Sequence, residues 1–291
     1  MNEFEYKKRV NQAIDYIQKN IENNLTVEEI ADYCCFSKFY FNRMFRAVVN
    51  ESVYSFIKRR KLETAAFLIR THVKMSITEI ALRVGYSSSN FASAFKEYYG
   101  VSASEFRRSN DVPVKDSYIR VAEHIKKMKK LDLSYKMIDS RIEIKKFQKM
   151  KLLYERFIGN YYDLSEFWCE FTQKMEKKKI INENTMFIGI SYDDPLITDE
   201  NRCIYDVCIN VNENIGTNIH TVEQGYYACY KFHDKTSNMI NAFNEIFALW
   251  LPYSGYEIEH RFPLEIYHSE MDSQGRMNVD ICIPITKARY I

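Results

Sequence analysis

The sequence predicts a multidomain chain: an all-α double helix-turn-helix front half before an α+β rear half, a duplicated β-α-β-β module. Three observations support this: a front segment recurs after 50 residues, a rear segment recurs after 74, and the charge changes sign between them. Residues 1–130 hold 23 Lys and Arg against 15 Asp and Glu, whereas residues 131–291 hold 18 against 24. Such a split favours one half that contacts nucleic acid and one that avoids it.

The front repeat relates ADYCCFSKFYFNRMF at 31–45 to ALRVGYSSSNFASAF at 81–95. Upstream, Thr26-x-x-Glu29 and Ser76-x-x-Glu79 each predict a capping box that opens a short helix. A short helix, a tight turn and a second capped helix form the helix-turn-helix plan. The matching positions are Ala31/Ala81, Phe36/Tyr86, Ser37/Ser87, Phe41/Phe91, Phe45/Phe95, Arg46/Lys96, Ser52/Ser102 and Phe56/Phe106.

The second helix of the first copy is predicted to begin after an N-cap at Ser37 and to bury Phe41, Phe45 and Val48 on one face. Its other face carries amide, guanidinium and ammonium groups, which suit base edges and phosphates. A solvated face of an ordinary amphipathic helix is the alternative interpretation of the same pattern. The predicted DNA contacts in this helix are Ser37, Lys38, Phe39, Asn42, Arg43 and Arg46.

The second copy and its tail, IALRVGYSSSNFASAFKEYYGVSASEFR, resemble the DNA-binding domain of the AraC/XylS family of transcription regulators. The resemblance covers about residues 8–108 and implies that both second helices contact double-stranded DNA, with RNA polymerase as an expected partner. We expect the first copy to supply most sequence discrimination, since short hydroxyls rarely reach base edges. The predicted contacts of the second copy are Ser88, Ser89, Asn90, Ser93 and Lys96.

A long helix is predicted from Ser52 to Thr71, joining the two copies. Its apolar side is assigned to Tyr54, Ile57, Leu62, Ala65, Leu68 and Ile69, and its solvent side to Arg59, Glu63 and Arg70. The run KRRK at 58–61 is a candidate phosphate contact, and a solvated helix face is the alternative.

The rear half is predicted from alternating apolar runs with two helices between them. The first helix carries Phe167 and Phe171, and the second carries Phe243 and Phe247. YDVCINV at 205–211 recurs as VDICIPI at 279–285, which indicates a duplicated strand-helix-strand-strand module. The predicted boundaries are 1–109 for the front domain, 110–138 for a lysine-rich linker and 139–291 for the rear domain.

The rear half resembles the GyrI-like effector-binding domain through GISYDDP, CIYDVCINV, WLPYSGYE and PLEIY. The order of the two domains resembles that of Rob-type regulators. The resemblance implies a cleft lined by aromatic rings with one acidic residue, which position in LEIY assigns to Glu265. A carboxylate among rings suits a cationic or amphipathic small molecule. The predicted ligand-binding residues are Trp168, Tyr192, Tyr205, Tyr227, Trp250 and Glu265.

The predicted function is a sequence-specific transcription regulator, an activator, controlled by a small-molecule effector. A protein-interaction module and a small-molecule hydrolase remain alternatives for the rear half. We expect no enzyme activity, cofactor or metal, because no Ser-His-Asp arrangement and no metal-ligand spacing occurs. A cytoplasmic protein without a membrane partner is expected, since no apolar run of about 18 residues occurs and the seven cysteines form no C-x-x-C pair.

Overall fold

The computed structural model describes residues 3–72, 75–108, 131–194, 197–212, 218–259 and 261–287. The chain divides after Val112 into two compact units, which are described separately. Most of the predicted linker, residues 110–130, lies outside the described residues.

The described residues of the front unit form helices joined by turns and contain no strand, as predicted. Helices α2 and α3 form the first helix-turn-helix, α5 and α6 form the second, and α4 joins them. The helices are α1 Glu3–Lys19, α2 Val27–Tyr33, α3 Lys38–Val49, α4 Val53–Thr71, α5 Ile77–Arg83, α6 Ser88–Tyr99 and α7 Ala103–Arg108.

The two copies share their turns and their cores. In each turn a backbone N–H donates to the alanine carbonyl five residues back, at 2.9 Å for Phe36 to Ala31 and for Tyr86 to Ala81. Both alanines are fully buried, as expected where two helices cross closely. Each core is a chain of rings in contact, Phe41–Phe45–Phe56 in the first copy and Phe91–Phe95–Phe106 in the second.

Local details of the first copy differ from the prediction. Ser37 is the N-cap of α3, but its hydroxyl makes no capping hydrogen bond. The reciprocal capping box is present at Ser76 and Glu79, whereas the Glu29 carboxylate accepts from the Tyr16 hydroxyl instead. Val48 is half-buried, because Met44 and Val49 complete the buried face of α3.

The assignment of solvent and core sides on α4 was wrong at three positions. Tyr54 is 68% exposed, while Arg59 and Glu63 are buried. Arg59 lies between two carboxylates, with Nη2 2.5 Å from Glu51 and Nη1 3.0 Å from Glu63. Buried charge is tolerated here because ion pairs and hydrogen bonds satisfy it. Three residues of the KRRK run, Arg59, Arg60 and Lys61, are therefore buried, while Lys58 is partly exposed and pairs with Glu97.

The rear unit is a nine-stranded antiparallel sheet with two helical segments packed on one face. Helix α8 precedes the sheet, α9 follows β2, and α10 follows β6 and continues into a π-helical turn at Glu245–Trp250. The elements are α8 Leu131–Asp139, β1 Ile142–Phe147, β2 Met150–Gly159, α9 Leu164–Lys177, β3 Phe187–Ser191, β4 Cys203–Val211, β5 Ile219–Val222, β6 Gly225–Lys235, α10 Met239–Asn244, β7 Tyr256–Ile258, β8 Leu264–Tyr267 and β9 Arg276–Lys287.

The sheet order confirms the duplication. Along the path β1-β6-β9-β8-β3-β4-β2-β5, the two modules are related by a pseudo-twofold axis between β8 and β3. Gly189 of β3 pairs with Val207 of β4, and Glu265 of β8 pairs with Ile281 of β9 in the equivalent register. Strands β5 and β7 were not predicted, because each is too short to show alternation.

Candidate functional sites

The first candidate surface is the exposed side of α3. Lys38, Arg43 and Arg46 are exposed, and Phe39 is 83% exposed. A ring so exposed gains nothing from the core, and so it is available to a partner. Three basic groups and an aromatic ring are therefore exposed on this helix, as the sequence indicated.

Two residues of this surface have partners within the protein. The Lys38 ammonium pairs with Glu28 of α2, and this hydrogen bond lowers the pKa of the Glu28 carboxyl. Asn42 is half-buried, and its side-chain oxygen accepts from the Val53 amide at 3.2 Å. That bond fixes the Asn42 side chain against the start of α4 and occupies its oxygen.

The second candidate surface is the equivalent side of α6. At the positions of α6 equivalent to those of α3 the exposed residues are small apart from Lys96, while Glu97 and Tyr98 are exposed further along the helix. The Ser87 hydroxyl accepts from the Asn90 amide at 3.4 Å, so this serine caps the helix. The predicted residues that the structure leaves exposed here are Ser88, Ser89, Asn90, Ser93 and Lys96.

The third candidate site surrounds Glu265 on the helix-covered face of the sheet. The Glu265 side chain is buried, with only 4% of the residue exposed. Its Oε2 accepts from the Tyr205 hydroxyl at 2.6 Å and from the Tyr267 hydroxyl at 2.8 Å. Burial raises the pKa of Glu265, while hydrogen bonds from Tyr205, Tyr267 and Ser191 act in the opposite direction.

Aromatic rings enclose this carboxylate. Trp168 of α9 lies edge-to-face against Tyr267, with ring centroids 5.3 Å apart, and against Tyr205 at 6.5 Å. The ring of Tyr161 contacts that of Tyr205, with ring centroids 5.6 Å apart. Burial and the charge of Glu265 raise the pKa of Tyr205 well above its usual value, so its phenol remains a neutral donor. The site is one buried carboxylate in an aromatic box.

Two family comparisons match consecutive parts of the chain. Residues 7–109 match a helix-turn-helix domain, and residues 140–286 match the GyrI-like small molecule binding domain. An HTH-type transcriptional activator, AarP of Providencia stuartii, is 30% identical over 102 residues, which are 35% of this chain and 75% of AarP. The regulatory protein SoxS of Escherichia coli K12 is 30% identical over 103 residues, which are 35% of this chain and 95% of SoxS.

The chain belongs to the AraC family of DNA-binding transcription regulators and carries a GyrI-like small molecule binding domain. An uncharacterized HTH-type regulator of Haemophilus influenzae is 35% identical over 103 residues, which are 35% of this chain but only 34% of that relative. Neither matched family is an enzyme family. Within the described residues of the regulator, no helix has the length and apolarity that crossing a membrane requires.

The structure of the regulator brings together three of the six predicted ligand-binding residues, Trp168, Tyr205 and Glu265. Tyr192 lies on the other face of the sheet, where its hydroxyl donates to Asp206 at 2.7 Å. Strand alternation explains this, because residues 191 and 192 point to opposite faces.

Tyr227 and Trp250 are also placed away from Glu265. Tyr227 is buried on the face opposite the helices, with the Arg261 guanidinium 4.6 Å from its ring centroid. Trp250 is buried in the core of the second module, and its indole N–H donates to Asp139 at 2.8 Å. Both rings stabilise the fold of the regulator and do not line the carboxylate site.

Sequence reasoning missed Tyr267, Tyr161 and Ser191 at this site. Tyr267 could have been predicted from the sequence, because a residue two positions from Glu265 in a strand lies on the same face. Tyr161 lies in a one-turn helix, Tyr161–Asp163, where no periodicity identifies the direction of a side chain.

Proposed function

We propose that the rear domain of this regulator binds a small molecule carrying one positive charge and an aromatic or other apolar group. The observation that supports this is the buried Glu265. Among the described residues, no Lys, Arg or His forms an ion pair with its carboxylate, whose partners are hydroxyl groups. A buried carboxylate without a counter-charge is costly, and a cationic ligand would remove that cost.

The surrounding rings define the rest of the ligand. Cations bind over the faces of Trp and Tyr with about 0.5–2 kcal/mol, and more strongly when water is excluded. Trp168, Tyr205 and Tyr267 supply aromatic rings close to one acceptor. Because Glu265 is 4% exposed, a ligand reaches it only when the side chains around it move.

A thermal-shift experiment on the full chain tests this proposal. Benzyltrimethylammonium should raise the unfolding midpoint, because a ligand bound only to the folded state stabilises it by about 2.7 kcal/mol at 100 times its Kd. Neopentylbenzene, its neutral isostere, should raise it much less. Glu265→Gln should abolish the difference between the two compounds, and Glu257→Gln, at an exposed strand position, should retain it. Equal shifts from both compounds in the unaltered protein would exclude charge recognition.

We further propose that α3 supplies most of the DNA sequence discrimination and that the bound regulator activates transcription by contacting RNA polymerase. The long basic groups of α3 against the short hydroxyls of α6 support the first part. The match to AarP, a relative named as an activator, supports the second. We assign these roles to residues 1–109 and ligand binding to residues 139–291, with 110–138 as the connector.

Transcription with purified RNA polymerase tests activation. The template should carry a site selected from random DNA by the regulator itself. More transcript in the presence of the regulator supports activation, whereas less transcript shows repression and contradicts it.

A further inference from the structure

The second helix-turn-helix unit contacts the segment that leads into the first unit, besides being joined to that unit by α4. The turn of the second unit, at Gly85, lies against the backbone that follows α1. A Cβ atom built at Gly85 would lie 3.1 Å from the Glu22 carbonyl oxygen and 3.3 Å from the Asn23 carbonyl oxygen. These distances leave no room for a side chain without a shift of the backbone.

The two copies of the turn show why this position is glycine. Gly85 has φ +73°, and its counterpart in the first copy, Cys35, has φ +61°. A residue with a side chain therefore adopts the same left-handed conformation in the same kind of turn. Both residues are exposed, but a Cβ atom at Gly85 would meet Glu22, Asn23 and Lys61. The close approach, and not the backbone angle alone, accounts for glycine in the second copy.

Lys61 of α4 completes this contact. It is only 6% exposed, and its Nζ donates to the Asn23 carbonyl oxygen at 2.8 Å. The same ammonium lies 5.9 Å from the ring centroid of Tyr86 in the second turn, and 2.6 Å from the Cβ position of Gly85. One buried cation thus contacts both the second turn and the segment between α1 and α2. Burial disfavours the charged form and so lowers the pKa of Lys61.

A second pair at the edge links the same elements. Arg83 of α5 donates from Nε to the Glu22 carboxylate at 2.9 Å, with both side chains partly exposed. Exposed pairs contribute about 0–1 kcal/mol, so Arg83 is an accessory to the buried contact.

We infer that Gly85, Lys61 and the Glu22–Asn23 backbone form a lock that fixes the translation and rotation between the two DNA-reading helices. The lock thereby sets the spacing between the two half-sites that the regulator accepts. Moving one half-site by a single base pair shifts it by roughly 3.4 Å and rotates it by roughly 35°. Two units held at Gly85 cannot follow that change, whereas units joined by α4 alone could adapt to it.

Selection of binding sites from random DNA tests the lock, with four proteins compared. They are the unaltered chain, Gly85→Ala, Lys61→Met and the control Gly100→Ala. Gly100 has φ +75° and no atom within 4 Å of its Cβ position, so its substitution introduces the same backbone strain without a contact. Lys61→Met retains most of the buried stem and removes the ammonium.

The unaltered chain and Gly100→Ala should select two motifs at one spacing. Gly85→Ala and Lys61→Met should select the same base identities, with the spacing spread over at least one base pair more or with the second motif lost. A single unchanged spacing in both lock variants would overturn the inference.

A distance measurement on the protein alone covers the case in which a variant no longer binds DNA. Spin labels at Ala47→Cys in α3 and Ala92→Cys in α6 occupy exposed positions, in a background where the exposed Cys35 and Cys169 are replaced by Ser. The inter-label distance should be narrowly distributed in the parent and in Gly100→Ala, and broad in Lys61→Met. If Gly85→Ala shows no cooperative melting, Lys61→Met alone decides. A distribution as narrow as that of the parent in Lys61→Met would refute the lock.

Discussion

Gly189 lies directly opposite Glu265 in the β3–β8 strand pair, and the Tyr205 hydroxyl occupies the space that a side chain at Gly189 would need. A Cβ at this position would be 1.8 Å from the Tyr205 hydroxyl oxygen and 3.1 Å from Oε2 of Glu265. The two residues also hold equivalent positions in the two modules. One module of the duplicated fold therefore has a carboxylate at this position. The other module has a glycine, and the Tyr205 phenol occupies the space that a side chain there would take.

Gly189→Ala should weaken binding of benzyltrimethylammonium about tenfold, or about 1.4 kcal/mol, because the added methyl group displaces the Tyr205 ring that forms part of the site. Overpacking should also reduce the free energy of unfolding by about 1–3 kcal/mol. Gly225→Ala is the matched control, since its Cβ would lie 2.2 Å from Arg261 on the other face. Titration calorimetry measures both affinities, and equal affinity in Gly189→Ala and the parent would contradict the role given to Gly189.

Glu265→Gln should stabilise the protein at neutral pH while removing cation binding. Burial raises the pKa of Glu265, so the folded state holds its proton more tightly than the unfolded state. Stability then falls as the pH rises from the unfolded value of about 4.3 through the higher folded value. Urea unfolding at several pH values should show that the free energy of unfolding of Glu265→Gln, relative to that of the parent, increases as the pH rises through this window. A difference that stays constant with pH would show that Glu265 has the same pKa in both states.

Arg156→Met should destabilise the rear unit by about 3–5 kcal/mol, because it leaves the buried Asp206 without its cation. Both side chains are at most 1% exposed, and Arg156 donates twice to Asp206 at 2.7 Å. The matched control is Lys174→Met, which breaks the more exposed pair with Glu155 and should cost about 0–1 kcal/mol. Chemical unfolding that shows similar losses for the two variants would contradict this assignment.

The Asp206 carboxylate should account for part of the loss of stability of the rear unit in acid. Burial acts to raise the pKa of Asp206, but Arg156 and the hydrogen bond from His220 outweigh it and bring the pKa to about 2. Because the folded pKa is depressed, its contribution is present above the unfolded value of about 3.9 and is lost as the pH falls toward 2. Asp206→Asn should flatten the stability curve between these values, and an unchanged slope would contradict this.

The two sequence repeats and the spacing of apolar residues predicted the fold, because both patterns reflect which side chains are buried in the core. Phe41 and Phe91 lie in equivalent cores, and the seventy-four-residue echo corresponds to β4 and β9. Arg59 was misplaced because a helix-face argument assigns charge to solvent, whereas its partner Glu51 lies beyond the helix start. Tyr192 was placed in the cleft because composition does not tell which face of a strand meets the helices. Side-chain contacts between elements decide such positions, and no local pattern encodes them.

Arg43→Ala should relax specificity at one or two base positions, since an Arg contact to a base edge discriminates by about 1–3 kcal/mol. Arg43 is exposed on α3. Lys96→Ala on α6 is the contrasting variant. Loss of a phosphate contact should weaken binding evenly across sequences and reduce the slope of log K against log salt by about one. Site selection and salt titration of both variants measure the two effects. If Arg43→Ala retained every preference of the parent while Lys96→Ala lost one, discrimination would belong to the second helix-turn-helix rather than the first.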